Sequence, residues 1–150
     1  MMRVILASKS PRRREILSML GVPFSVLSAD ADETSAINDP EALVRELAAR
    51  KGRAVRDLLR ARGEWDGDTL IIAADTVVAV GGEILGKPRD DADACRMLFL
   101  LSGKTHRVVS GVALFRGERE IAESECTAVT FAPLSDKEIS SYTASGEPRD

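Results

Sequence analysis

An aspartate stands inside an apolar run, Ile71-Ile72-Ala73-Ala74-Asp75-Thr76-Val77-Val78. Aspartate is depleted in strands. A carboxylate buried there is costly unless a cation or a metal ion meets it. Asp75 is therefore read as a functional carboxylate, with exposure at a sheet edge as the competing reading. Ser8-Lys9-Ser10-Pro11-Arg12-Arg13-Arg14 combines hydroxyls with a basic run. A helix N-terminus offers free N–H groups to anions but prefers acids in its first turn. Arginines at that place point either to a phosphate cradle or to a solvated basic turn. Lys51 follows Leu47 by four residues and precedes Val55 by four. It either runs its stem past a core or points at phosphates. Asp30, Asp32 and Glu33 form an acidic loop whose oxygens suit Mg²⁺ or Mn²⁺, if they do more than face solvent.

Gly81-Gly82-Glu83-Ile84-Leu85-Gly86-Lys87-Pro88 comes within one residue of the phosphate loop G-x-x-x-x-G-K-[ST]. Pro88 has neither the hydroxyl nor the N–H that loop needs, and it disfavours helical dihedrals at Lys87. The glycine pair between apolar runs is read instead as a hairpin turn. Spacing alone makes Lys87 a solvated hairpin lysine. His106 has no serine or cysteine partner in view, which argues against a triad. Cys95 and Cys126 lack metal-ligand spacing and are expected to be reduced, largely buried thiols.

The elements that must position these residues follow from pattern. Residues 3–8 form a short buried strand. Ser10-Pro11 opens a helix whose apolar face is Ile16, Leu17 and Leu20, closed by Gly21. A strand is expected over 24–27, then a polar loop from Ala29 to Asn38. Asp39-Pro40-Glu41 opens a second helix, with a stripe of Leu43, Val44, Leu47, Ala48, Val55 and Leu58, ending at Gly63. Thr69–Val80 is a strand aliphatic on both faces, hence central. Ile84-Leu85 returns as a short strand. A third helix spans 90–101, with Ala94, Met97, Leu98 and Leu101 inward. Residues 105–115 and 121–131 make a hairpin around Arg116-Gly117-Glu118. Ser135-x-x-Glu138 is a capping box for a fourth helix. Trp65 is expected to pack locally in a loop. The fold class is a mixed α/β domain occupying residues 1–150.

Bulk properties narrow the partners. The 150 residues are 44% hydrophobic and 30% charged, with a net charge of −3. That balance gives no general affinity for nucleic acid or anionic membranes. No apolar run reaches the roughly 20 residues a spanning helix needs, and Val4–Ala7 is too short for a signal-peptide core. A cytoplasmic protein is expected.

Taken in order, Leu6-Ala7-Ser8-x-Ser10-Pro11-Arg12-Arg13, Asp32-Glu33, Leu47-Ala48-x-x-Lys51, Ala74-Asp75-Thr76-Val77-Val78 and Leu85-Gly86-Lys87-Pro88 resemble the Maf-like nucleotide pyrophosphatases. Leu101-Ser102-Gly103-x-Thr105-His106 and Glu147-Pro148-x-Asp150 extend the resemblance over essentially the whole chain. It implies a fold similar to the inosine triphosphate pyrophosphatases, a mixed sheet flanked by helices in two lobes with a central cleft. It implies hydrolysis of a nucleoside triphosphate to monophosphate and pyrophosphate with Mg²⁺ or Mn²⁺. Asp75 would be the proton acceptor, with Lys51 and Lys87 beside it in catalysis. Ser8, Arg12, Arg13 and Thr76 would bind substrate, and Glu33 and Asp75 the metal. Arg12 and Thr76 resemble the dTTP/UTP branch; a second branch, for 7-methyl-GTP, tends to carry tryptophan and glutamine there. The family pattern continues past Asp150, so the resemblance implies a missing C-terminal segment that includes a base-selecting glutamine. It leaves a homodimer open, as well as a non-catalytic nucleotide-binding module linked to septum formation.

Overall fold

The computed structural model of the protein describes residues 2–86 and 88–139. Their elements run β1 (Arg3–Leu6), α1 (Pro11–Met19), β2 (Ser25–Val26), α2 (Pro40–Ala61), β3 (Thr69–Val80), β4 (Glu83–Leu85), α3 (Asp91–Leu101), β5 (Thr105–Arg116) and β6 (Arg119–Thr130). The strands form one sheet in the order β2-β1-β3-β5-β6, with β4 paired to β3. β1 is parallel to β2 and β3, whereas β4 is antiparallel to β3, so the sheet is mixed. The chain divides into two compact units. One holds Met1–Asp75 and Ser110–Glu125; the other holds Thr76–Val109 and the chain from Cys126.

Local chemistry sets the boundaries. Ser10 caps α1, its side chain accepting from the Arg13 N–H, with Pro11 at the first helical position. Asp39 Oδ2 accepts from the Ala42 N–H at 3.0 Å and caps α2. The Gly81-Gly82 turn, both residues at positive φ, sets Val80 opposite Glu83. The capping box closes reciprocally. The Glu138 N–H donates to Ser135 Oγ at 3.1 Å, and the Ser135 N–H donates to Glu138 Oε1 at 3.3 Å. Residues 136–139 are helical; the expected remainder of that helix, and Glu147-Pro148-x-Asp150, lie outside the described residues.

In the first unit the core joins α2 to the sheet. Ala48, Ala49, Val55 and Leu59 pack with Ile5, Ala7, Ile71, Ala73, Ala113 and Phe115, and Trp65 packs against the cluster from its loop. The α2 stripe is shifted from its expected position: Leu59 is buried and Leu58 only partly so, because a 22-residue helix drifts around its axis relative to a strict three-four pattern. α1 departs further. Only Leu17 is buried, while Ile16 is 56% exposed and Leu20 is 70% exposed. The short arginine-rich helix buries a single apolar residue, and among the described residues none covers Ile16 or Leu20. Cys126 is exposed on β6 and Cys95 only half-buried, so the expected burial of both thiols does not hold. β6 is the last strand in the sheet order, and most of its side chains face solvent. Among the described residues, no helix is long and apolar enough to cross a membrane.

The second unit has its own cluster of Val80, Leu85 and Leu101, against which Val78, Met97, Leu100 and Phe131 pack. Beside it, His106 is buried and meets the Phe131 ring edge-on at 4.8 Å. Asp93, also buried, anchors the start of α3. Its carboxylate accepts from the Arg89 N–H at 3.0 Å and from Arg96 Nε at 3.1 Å. These bonds, the Arg89 N–H foremost, hold its pKa below the ordinary 3.8. A depressed carboxylate pKa stabilises the folded state above the unfolded value and loses that contribution as pH falls through the folded one. Asp93→Asn is expected to lower the melting temperature at pH 7, with the gap to the parent closing below about pH 4. Thermal unfolding followed between pH 7 and pH 3 checks this; a gap that stays constant across the range contradicts it.

Candidate active site

Strand alternation aims Asp75. From Thr69 to Val77 the buried positions of β3 are Thr69, Ile71, Ala73, Asp75 and Val77, one face of a period-two pattern, and at the end of the strand both Ala79 and Val80 are buried. Ile71 and Ala73 meet α2 on that face, so the next side chain in the row, Asp75, leaves the core toward the same helix. On α2, Lys51 lies one turn beyond Leu47 and Ala48. The helical and strand periods therefore converge on one contact: Lys51 Nζ donates to Asp75 Oδ1 at 2.8 Å. The Asp75 side chain keeps 13% exposure and the Lys51 side chain 24%, so the pair is shielded yet reachable.

Glu33 completes the cluster from the 27–39 loop. Its Oε1 lies 3.3 Å from Lys51 Nζ, although the side chain is 64% exposed. Two carboxylates thus face one ammonium group.

β1 brings the other side. Its parallel register pairs Leu6 with Ile72, and the Ala7 N–H donates to the Ile72 carbonyl at 2.8 Å. Ser8 therefore leaves the sheet beside the segment that carries Asp75. Buried Ser8 Oγ accepts from the Ser10 N–H at 3.1 Å and from an Arg13 guanidinium nitrogen at 3.4 Å. Partial burial lowers the Arg13 pKa, and the charge of Asp75 acts in the opposite direction. The arginines that oppose the α1 dipole thus include one turned inward, toward the carboxylate.

Ser8, Arg13, Glu33, Lys51 and Asp75 come together within the first unit. Arg12 does not join them; it is exposed on α1. Thr76 follows Asp75 on β3, is exposed, and belongs to the second unit. Lys87 lies outside the described residues. Its neighbours Gly81–Leu85 form the expected hairpin rather than a phosphate loop leading into a helix.

As a donor set, the paired carboxylates fit a hard cation. Mg²⁺ commonly uses one or two carboxylates and completes its shell with waters and substrate phosphates. Among the described residues no group of three or more His, Cys, Asp or Glu is placed to hold a metal ion; Asp75 and Glu33, both against Lys51, are the carboxylates that could share one.

The residue missed by sequence reading is Arg50. Its Nε donates to Glu46 Oε1 at 3.0 Å, and one of its terminal nitrogens donates to the carbonyls of Asp32 and Thr34 at 3.0 and 2.6 Å. In sequence, Glu46 and Arg50 look like an ordinary i,i+4 surface pair. The only hint was Arg50's place beside Lys51.

The fold and the site define a class before any name does. A mixed α/β sheet carries a serine- and arginine-bearing helix start and a carboxylate–lysine cluster on adjacent parallel strands and the helix over them. The solved structure of the Staphylococcus aureus Ham1 protein shares this fold, with a TM-score of 0.60 at 14% identity over 99% of this chain and 100% of that one. The chain belongs to the Maf-like protein family, whose model matches residues 3–150. A protein of Symbiobacterium thermophilum named dTTP/UTP pyrophosphatase is 48% identical over all of this chain and 74% of its own length. A Bacillus cereus protein of the same name is 43% identical, over all of this chain and 75% of its own length.

Proposed function

We propose that the chain is a nucleoside triphosphate pyrophosphatase that hydrolyses dTTP and UTP to the monophosphate and pyrophosphate. The observation that carries this reading is the Asp75–Lys51–Glu33 cluster beside Ser8 and Arg13, in a member of a family whose similar relatives bear that activity as their name.

In the free chain Lys51 neutralises Asp75. Incoming phosphate oxygens compete for that ammonium group and for the Arg13 guanidinium, which Ser8 helps to orient. Once Lys51 turns to the phosphates, Asp75 regains a carboxylate oxygen able to take a proton from water. Water adds to phosphorus, its proton passes to Asp75, and the α–β anhydride bond breaks. Charge collects on the departing pyrophosphate, where Lys51 stabilises it. Asp75 and Glu33 would hold a Mg²⁺ or Mn²⁺ ion, and what such an ion supplies there is charge neutralisation of the triphosphate and a lower pKa for water. By motif alone, Arg12 and Thr76 go to the pyrimidine and Lys87 to the pyrophosphate.

The test is product analysis with Mn²⁺ present. dTTP and UTP should each yield monophosphate and pyrophosphate in equal amounts, without orthophosphate, and faster than ATP or GTP. Calorimetric binding of dTTP with no product formed would instead make the chain a nucleotide-binding regulatory module.

A further inference from the structure

Glu33 poses a physical problem. A side chain with most of its surface in water, on a loop without helix or strand, would sample many positions. Yet a carboxylate that serves a reaction must stay in place. The loop starts tied, with the Leu27 N–H on the Leu6 carbonyl and Leu27 and Ala29 against the core, but from Asp32 on its own bonds are short-range: the Thr34 N–H donates to Asp32 Oδ1 at 2.9 Å, and the Ile37 N–H donates to Ser35 Oγ at 3.1 Å. Such turns shape the loop but do not tie it to anything else.

Arg50 supplies the tie. The carbonyls it holds belong to the residues immediately before and after Glu33. One terminal nitrogen carries two hydrogens, enough for one bond to each carbonyl. The guanidinium plane is oriented from behind by Glu46, which accepts from Nε. Arg50 adjoins Lys51 on α2, so a single helical turn fixes both the ammonium group and the backbone that brings Glu33 to it.

We propose that Arg50 is a positioning residue for the pyrophosphatase reaction, clamping the backbone on both sides of Glu33 so that its carboxylate stays beside Lys51 and Asp75. The proposal rests on the pyrophosphatase reading for its catalytic consequence, but the clamp itself can be judged without turnover. Lysine is a poor substitute, because an ammonium group has no fork to engage Glu46 and both carbonyls together.

The experiment compares the parent chain with Arg50→Ala, Arg50→Lys, Glu33→Gln and the Arg50→Ala/Glu33→Gln pair. Amide hydrogen exchange is read at Thr34 and Ile37 without nucleotide, and dTTP turnover is read against Mn²⁺ concentration. In Arg50→Ala, exchange at Thr34 and Ile37 should quicken by about tenfold while the α2 amides stay unchanged. The Mn²⁺ concentration for half-maximal turnover should rise by about 10–100-fold. The double variant should be no worse than Glu33→Gln alone, since both changes remove one function. Arg50→Lys should recover part of each effect. Unchanged loop exchange in Arg50→Ala overturns the clamp, and effects that multiply in the double variant overturn its action through Glu33. If the parent turns over neither dTTP nor UTP, the pyrophosphatase reading falls, and loop exchange alone still decides whether Arg50 holds the segment.

Discussion

Asp75→Asn is expected to lower pyrophosphate release from dTTP by about 100-fold or more, with KM unchanged or lower. A positioned general base contributes about 10²–10⁴ in rate, and an amide cannot take the proton. The KM expectation follows from the same contact. Lys51 Nζ is held by Asp75 at 2.8 Å in the free chain, and removing that charge leaves the ammonium group more available to phosphates. Folding should change little. Asparagine has nearly the same shape, and Lys51 keeps Glu33 and its own access to water. Removing the other partner is the informative contrast. Lys51→Met leaves the more buried member of the pair without its nearest cation, at a cost of about 1–3 kcal/mol in stability. Steady-state kinetics and thermal unfolding on the two variants separate these effects. Parent-like turnover in Asp75→Asn would remove Asp75 from the chemistry.

Gly52→Ala is expected to destabilise the fold, with the sign opposite to helix propensity. In a helix interior, alanine is favoured over glycine by about 1 kcal/mol. At this position, however, a Cβ would overlap the Phe115 ring, reaching its Cε2 and Cδ2 atoms and lying 2.9 Å from Cζ. Phe115 is wholly buried in the core cluster, with the Arg56 guanidinium 5.3 Å from its ring centre, so the ring has little room to retreat. Overpacking of this kind costs about 1–3 kcal/mol. Net of that propensity gain the cost is up to about 2 kcal/mol, and at about 2–4 °C per kcal/mol for a chain of this size the melting temperature should fall by up to roughly 8 °C. Adding Phe115→Leu should restore part of the loss. A melting temperature at or above the parent's for Gly52→Ala alone would mean that α2 shifts freely on the sheet. Because Lys51 is the adjacent residue, that result would also weaken the view that close packing sets its reach.

How much of this was legible in the chain depends on the range of each interaction. Ser10-Pro11, Asp39-Pro40, Gly81-Gly82 and Ser135-x-x-Glu138 act within a turn, through a cap or a positive φ, and each gives the element boundary it announces. β3 was readable from Thr69 to Val80 because a continuous aliphatic run marks a central strand, and its burial alternates with the strand period from Thr69 to Ala79. The face of α1 was not readable. Ile16, Leu17 and Leu20 have helical spacing, but which of them meets a neighbour depends on what lies beside the helix. The same holds for Leu58 and Leu59: a small rotation of α2 exchanges their roles.

For the site, the sequence alone determined which residues were available. An aspartate in an apolar strand, a lysine on an apolar helical stripe, and hydroxyls and arginines at a helix start each conflict with their local setting. Such conflicts mark function. Tertiary structure decided which of them meet. The Lys51–Asp75 contact spans 24 residues of chain, and the Arg50 bonds to the carbonyls beside Glu33 span 18 and 16. At those separations, sequence periodicity says only which face of its own element a side chain occupies. Distance and partner come from how closely α2 lies on the sheet. In part that closeness is set by Gly52, whose missing side chain leaves the space that the Phe115 ring fills.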